Sequence, residues 1–388
     1  DGVAQTLLVD RSAGRGWLDA SSPELDPYPS REDDIAFLLY SSGSTGKPKG
    51  VPHRHGDMPF SAETFGRQVL GVSSDDLVFS ASKLPFAYGL GNSISFPFSA
   101  GASVVLYPGG CTPDQVLRLI TTYRPSLFFA VPTLYNLLLR TFEGEIRFPS
   151  LRLAVSAGEP LPASTYHAWK TRTGVELLDG IGSTEALHIF ISNRSGDVRP
   201  GSSGRPIPLF EAKIVDETDR PVATGQAGHL LIRGKSTAPC YWNRPEKTQE
   251  TMLADGWLRT GDIYVEEDGY YTYQGRGDDM FKVEAQWLSP IRVEDALRDH
   301  PAVLECAVTS RKLEGLVRPV AYVVPVEGVT TGPAIARDLL RHVSAKLPAW
   351  MCPVQVVFCA EIPKTSTGKV QRFRLRQAAS GDASSTDR

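Results

Sequence analysis

Three short apolar runs, at residues 103–107, 127–131 and 151–155, are separated by segments with helical spacing at 113–123 and 133–141. Alternation of this kind places helices over both faces of a sheet whose neighbouring strands run parallel. It predicts an α/β fold built on a large, mostly parallel sheet. A further apolar run at 35–40 leads into a loop of Ser, Gly and Lys and is expected to be a buried strand. From about 201 to 273 the texture changes. Strand-like segments at 213–216, 229–233 and 270–273 lie between Gly, Pro and Asp turns, which predicts a β-rich subdomain. Past 275, helical segments at 293–299 and 334–347 alternate with strand-like ones at 302–310 and 320–326, so a small α+β domain is expected. The resulting division is a large domain over 1–274, a small mobile domain over 275–377, and a disordered Gly, Asp, Ser and Thr tail over 378–388.

Formal net charge is -3, with Lys and Arg scattered along the chain, so no footprint for nucleic acid or an anionic membrane exists. There is no apolar run of about 18 residues and no signal-peptide layout at the start, which predicts a soluble, cytoplasmic protein. The five cysteines, Cys111, Cys240, Cys306, Cys352 and Cys359, fit no metal or redox spacing and are expected to be reduced. The chain starts with Asp1, so a processed or incomplete chain is expected.

The strongest local signal is YSSGSTGKPKG at 40–50. Small residues let backbone approach phosphates closely, hydroxyls and amides donate hydrogen bonds, and Lys47 and Lys49 bring positive charge. The candidate phosphate-binding residues are Ser41, Ser42, Gly43, Ser44, Thr45, Gly46, Lys47 and Lys49. A P-loop of the G-x-x-x-x-G-K-[ST] kind is excluded, because Pro48 follows Lys47. A flexible surface loop explains the Gly and Ser content but not its place directly after a strand.

This loop resembles the signature loop of the acyl-adenylate-forming superfamily of acyl-CoA synthetases, peptide-synthetase adenylation domains and luciferases. Five further motifs follow in family order. SAGEPLP at 156–162 resembles the adenine-binding turn, which implies nucleotide contacts at Gly158, Glu159 and Pro160. DGIGSTE at 179–185 resembles the second nucleotide loop, with Asp179, Gly180, Ile181 and Gly182. TGD at 260–262 resembles the ribose turn, GRGDD at 275–279 the hinge, and PKTSTGK at 363–369 the C-terminal lysine loop. The resemblance covers about residues 35–376. It implies that the large domain binds ATP and the acid. Thr184 suits hydrogen bonding to an α-phosphate, Glu185 suits Mg²⁺, and Asp262 offers two acceptors to a ribose diol. Arg276 suits ribose or phosphate, and Asp278 is the pivot between domains. Lys369, on a Thr/Ser/Gly-rich loop, is placed to neutralise charge as a carboxylate attacks the α-phosphate. Without this context Glu185 and Asp262 would read as solvated turn carboxylates.

LPFAYGLGN at 84–92 and GSTEALHIF at 182–190 resemble benzoate-CoA ligases and related aryl-CoA ligases. The implied acid pocket comprises Phe86, Ala87, Tyr88, Gly89, His188 and Ile189, with flat and small surfaces for a ring. The bland alternative makes Phe86 and Phe190 core residues and His188 a satisfied buried histidine. Lys282 and Ala285 border the pantetheine tunnel of relatives. Two positions depart from the family: Ala285 replaces the usual Gly, and Arg292 the usual Glu. Only 40 residues precede Ser41, whereas the family carries a longer segment there. The implied activity is ATP- and Mg²⁺-dependent activation of benzoate, or a hydroxy- or aminobenzoate, followed by transfer to coenzyme A. Two alternatives stay open: a loading domain serving a carrier-protein thiol, and a non-catalytic nucleotide-binding fragment. A monomer or homodimer is expected.

Overall fold

A computed structural model of the chain describes residues 24, 26–42, 48–142, 144–284, 286–313, 315–364 and 370–381. Near the start, β1 (Ile35–Ser42) and β2 (Pro48–Arg54) form an antiparallel hairpin of their own. The main sheet has seven strands. Their spatial order is β4 (Ser103–Val105), β3 (Leu77–Ser80), β5 (Leu127–Ala130), β6 (Leu153–Ser156), β7 (Leu177–Gly182), β8 (Ile189–Ser192) and β9 (Arg205–Pro206). Neighbours from β4 to β7 run parallel, and β8 and β9 are antiparallel additions.

Every residue of β5 is buried. Its alternation sends Leu127 and Phe129 into one hydrophobic cluster and Phe128 and Ala130 into another. Side chains of a strand alternate between faces, so an unbroken apolar run is what a sheet covered on both sides requires. The helix Pro113–Tyr123 seals one face with Val116, Leu119 and Ile120. Thr112 accepts the Gln115 amide at its start, and Arg124 ends it in the left-handed region. Truncating Ile120 to Ala would cost about 2–5 kcal/mol through the cavity left behind.

The expected β-rich part is a four-stranded antiparallel sheet of β10 (Glu211–Val215), β11 (Ala227–Arg233), β12 (Leu258–Glu267) and β13 (Tyr270–Arg276). Two later hydrophobic clusters draw only on residues 281–375. They lie around the hairpin β14 (Phe281–Val283) and β15 (Gln286–Leu288), and around the sheet β16 (Val303–Leu313), β17 (Leu316–Pro325) and β18 (Gln355–Phe358). Helices Pro290–Arg298 and Pro333–Ser344 each start on a proline, whose fixed φ suits a first helical turn.

Two expectations give way. The run at 35–40 is not a buried strand: β1 stands outside the seven-stranded sheet, with Tyr40 66% and Ile35 44% exposed. A two-stranded ribbon packs on one face only, so just Phe37 and Leu39 reach the cluster containing Ala87 and Leu187. In the tail, residues 378–381 continue the helix Arg372–Gly381, favoured by the strong helix formers Ala378 and Ala379, and 382–388 lie outside the described residues. No described helix is long and apolar enough to cross a membrane. The five cysteines are free.

Candidate active site

The β1–β2 hairpin presents the Ser- and Gly-rich loop. Its register pairs Ser41 with Lys49 and Ser42 with Pro48. Gly43, Ser44, Thr45, Gly46 and Lys47 lie outside the described residues, while the two ends of the loop are described. At those ends, Ser41 Oγ donates to Glu185 Oε1 at 3.3 Å, and Lys49 Nζ sits 4.2 Å from the centre of the Tyr241 ring. Burial lowers the Lys49 pKa, while the nearby Glu185 carboxylate works to raise it.

Strand β7 delivers the DGIGSTE segment. It ends in a single 3-10 turn, Thr184–Ala186, capped by Ser183, whose hydroxyl accepts the Ala186 amide. All three carbonyls of this turn are bonded from elsewhere in the fold. His53 Nε2 donates to Thr184 O at 2.8 Å, the Ala238 amide to Glu185 O at 2.8 Å, and Ser236 Oγ to Ala186 O at 2.9 Å. His53 is itself buried, with Nδ1 3.2 Å from the buried Asp57 carboxylate. Gly182 must be glycine, since a Cβ there would lie 2.5 Å from the His188 carbonyl oxygen as the chain doubles back into β8.

Three residues past Glu185, His188 enters the aromatic region. Its ring packs 4.6 Å from Phe96, 5.4 Å from Phe65 and 5.5 Å from Tyr88, centroid to centroid. Nε2 donates to Asn92 Oδ1 at 3.1 Å, and burial drops the imidazole pKa to about 3, so the ring is neutral. Tyr88 donates its hydroxyl to Val155 O at 3.0 Å. Gly89 has no room for a side chain, because the Lys83 carbonyl lies where Cβ would go. Ala87 joins the small cluster with Leu39 and Leu187, and Phe86 is half-buried beside it in sequence. Ile189 belongs to the main core with Phe190.

The Asp179 carboxyl is buried near Ser156, and burial pushes its pKa well above the carboxylate range. Its Oδ1 has no hydrogen-bond partner. A buried acceptor in that condition suits a ligand's donor, such as a nucleobase amine. Gly180 and Ile181 lead from Asp179 along β7 to the turn. On the neighbouring turn Gly158 adopts φ 95°, and Glu159 accepts from the Thr133 hydroxyl at 2.6 Å and its amide at 3.2 Å, capping the helix Pro132–Thr141. The Glu159 carboxylate is thus committed to structure. Burial raises its pKa, and Lys364 is near enough to oppose that rise. Pro160 follows on the exposed side of this turn.

Asp262 and Arg276 face each other across β12 and β13, with Nη1 3.1 Å from Asp262 Oδ1 and 2.9 Å from Thr260 O. The Asp262 carboxylate raises the Arg276 pKa. Just beyond, the Gly277 amide donates to Gly261 O, while Asp279 receives Arg372 at 3.2 Å and Arg376 at 3.4 Å. Asp278 is exposed between those two anchors. Lys282 is exposed on β14, 4.9 Å from the centre of the Trp287 ring. Ala285 lies outside the described residues, but its neighbour Glu284 holds φ 50°, the left-handed backbone of a two-residue hairpin turn. Lys369 also lies outside them. Its loop is closed at the base by a bridge between Lys364 and Val370.

The described residues contain no group of three or more His, Cys, Asp or Glu able to hold a metal ion. That fits Mg²⁺, which takes one or two carboxylates and completes its octahedron with phosphate oxygens and water. Glu185, bonded to Ser41 of the β1–β2 hairpin, offers one carboxylate of the kind such an ion accepts. A surface cleft of about 530 Å³, lined by Leu139, Phe142, Gly144, Glu145, Thr171 and Arg172, contains none of the motif residues. Sequence reasoning missed His53, Asn92, Ser236 and Tyr241. Asn92 closes the LPFAYGLGN segment without having been assigned a role, and the other three lie in no chemistry-bearing pattern.

Residues 2–242 match the AMP-binding enzyme family, and residues 292–369 match the AMP-binding enzyme C-terminal domain. The chain is similar to a benzoate–CoA ligase of Thauera aromatica, 46% identical over 96% of this chain and 72% of that one. It is also similar to a 4-hydroxybenzoate–CoA/benzoate–CoA ligase of Rhodopseudomonas palustris, 42% identical over 93% and 68%. Among solved structures, an anthranilate CoA ligase in complex with anthranoyl-AMP superposes with a TM-score of 0.89 at 42% identity, covering 95% of this chain and 72% of that one. A benzoate CoA ligase from Burkholderia xenovorans LB400 does so with a TM-score of 0.86 at 41% identity, covering 94% and 73%.

Proposed function

The chain belongs to the AMP-binding enzyme family, and from that premise we infer that it activates a benzoate-like aromatic carboxylic acid with ATP. It releases pyrophosphate, holds the acid as acyl-AMP, and passes the acyl group to the thiol of coenzyme A. One observation carries this reading. A single short segment bears both Glu185, which bonds to the phosphate-loop hairpin through Ser41, and His188, which enters the cluster of aromatic rings. That supports the reading, because an acid ring beside His188 and a triphosphate beside Glu185 would meet at adjoining ends of one short turn, where proximity lowers the barrier strongly.

In the first half-reaction a carboxylate oxygen attacks the α-phosphorus and the bond to pyrophosphate breaks. Lys49 and the loop amides hold the triphosphate, Thr184 donates to the α-phosphate, and Lys369 meets the charge developing there. Glu185 would hold Mg²⁺, which supplies charge neutralisation on the phosphates. Asp262 accepts from the ribose hydroxyls, with Arg276 holding its carboxylate in place. Tyr88, Ala87 and the neutral His188 flank the ring of the acid. In the second half-reaction the coenzyme A sulfur attacks the acyl carbon and AMP leaves, after residues 275–377 turn about Asp278 and bring Lys282 and the Ala285 turn to the thiol. The division at residue 275 rests on the separate clusters over 281–375. A cytoplasmic setting follows from the ATP and coenzyme A pools that such a reaction uses.

The test is acid-dependent ATP/pyrophosphate exchange over aryl and alkyl acids, followed by thioester formation with coenzyme A. Exchange with benzoate and its hydroxy or amino derivatives, and none with acetate, is expected. Equal exchange with acetate, or thioester formation only on a carrier protein, would overturn the assignment.

A further inference from the structure

Glu185 is held by more than its own motif. Tyr241 is 3% exposed and lies in the segment between β11 and the helix Pro245–Thr251, 56 residues away in sequence. Its hydroxyl donates to Glu185 Oε1 at 2.7 Å, the same oxygen that Ser41 approaches at 3.3 Å. Its ring carries Lys49 Nζ at 4.2 Å. The segment around it is tied to both halves of the site. Ala238 and Ser236 bond the Glu185 and Ala186 carbonyls, the Trp242 amide donates to Gly50 O at 2.8 Å on β2, and the Tyr241 amide donates to Thr248 Oγ1 at 2.9 Å. One phenol thus touches the carboxylate and the ammonium that flank the phosphate loop.

We propose that Tyr241 is a positioning residue for the adenylation half-reaction, its hydroxyl setting the Glu185 carboxylate for the metal and its ring seating Lys49 for the triphosphate. The physical case is preorganisation: a carboxylate fixed by a short bond meets the metal without losing rotamer freedom at that moment. The proposal rests on Glu185 being the Mg²⁺ ligand, and its test separates the two ideas.

The experiment is calorimetric titration of the full chain with ATP, once in EDTA and once with excess Mg²⁺, beside a thermal melt. Three variants are compared with wild type: Tyr241→Phe, Tyr241→Leu and Glu185→Gln. A hydrogen bond to a charged group is worth about tenfold or more in an equilibrium. Tyr241→Phe is therefore expected to lose about tenfold of the tightening that Mg²⁺ confers, with metal-free ATP binding and melting temperature unchanged. Tyr241→Leu is expected to weaken metal-free ATP binding as well, because Lys49 loses its aromatic seat. A Tyr241→Phe variant with the wild-type Mg²⁺ gain overturns the proposal, as does equal loss with and without metal accompanied by a lower melting temperature. If Glu185→Gln loses the gain while Tyr241→Phe keeps it, the metal assignment stands and only the Tyr241 proposal falls. If Glu185→Gln keeps the gain, the metal assignment itself fails.

Discussion

Arg372→Met is expected to loosen the unit that carries the lysine loop. Arg372 is 8% exposed, and its guanidinium donates to the Val308 carbonyl at 3.2 Å, to Asp279 at 3.2 Å and to Glu294 Oε1 at 2.6 Å. Methionine keeps the apolar stem but deletes all three bonds. Glu294, 1% exposed, would be left with the Val308 amide at 2.7 Å and Arg298 at 3.2 Å. Breaking a buried ion pair from one side costs about 3–5 kcal/mol, and the remaining Arg298 points to the lower end of that range. In a unit of about one hundred residues each kcal/mol lowers the midpoint by about 4–8 °C, so a drop of about 12 °C or more is expected in calorimetry. The double variant Glu294→Gln/Arg372→Met should regain part of it, because the orphaned charge goes too. Arg372 lies three residues past Lys369, so adenylation should fall with the unfolding of this unit. A single variant melting within about 2 °C of wild type, or a double variant no more stable than the single, would refute the reasoning.

Lys369→Ala is expected to lower acid-dependent pyrophosphate exchange by about two to three orders of magnitude, the scale of one preorganised charge, while transfer from supplied acyl-AMP survives. Single-turnover rates of the two half-reactions check it, and equal loss in both counts against the role. Gly91 has ordinary helical φ, but a methyl group there collides with the His188 imidazole. Gly91→Ala should raise KM for the aromatic acid by about tenfold and leave KM for ATP alone, which steady-state kinetics with each substrate varied will show. Asp76 carries a pH signature. Burial pushes its carboxyl up, yet bonds from Arg152, Ser126 and the Ser73 amide win and hold its pKa at about 2. A depressed carboxyl stabilises the fold above its unfolded pKa and loses that contribution as pH falls through the folded one. Wild type should therefore shed about 2 kcal/mol between pH 4 and 2 that Asp76→Asn lacks, seen as a shallower acid limb in denaturant melts.

The helix Pro113–Tyr123 was legible because its proline start, Thr112 cap and apolar spacing are local properties of the chain. The fully buried runs of β5 and β6 were legible for the same reason. The exposure of β1 was not. An apolar hexapeptide reads alike whether it joins a covered sheet or a two-stranded ribbon, and only pairing decides which.

By itself the sequence determined the chemical inventory: which hydroxyls, lysines, carboxylates and glycines exist, and in what order the motifs carrying them occur. Those motifs are short, and their backbone needs are met by neighbours along the chain. What only the tertiary structure decided is which distant groups complete them. Glu185 meets Ser41 across 144 residues and Tyr241 across 56, and His53 reaches the Thr184 carbonyl across 131. Glu159, on the expected adenine turn, also accepts from Thr133 at the start of a helix 26 residues earlier. Such partnerships carry no local signal, because a hydrogen bond between remote segments depends on how two sheets and a hairpin pack, and packing is a property of the whole fold.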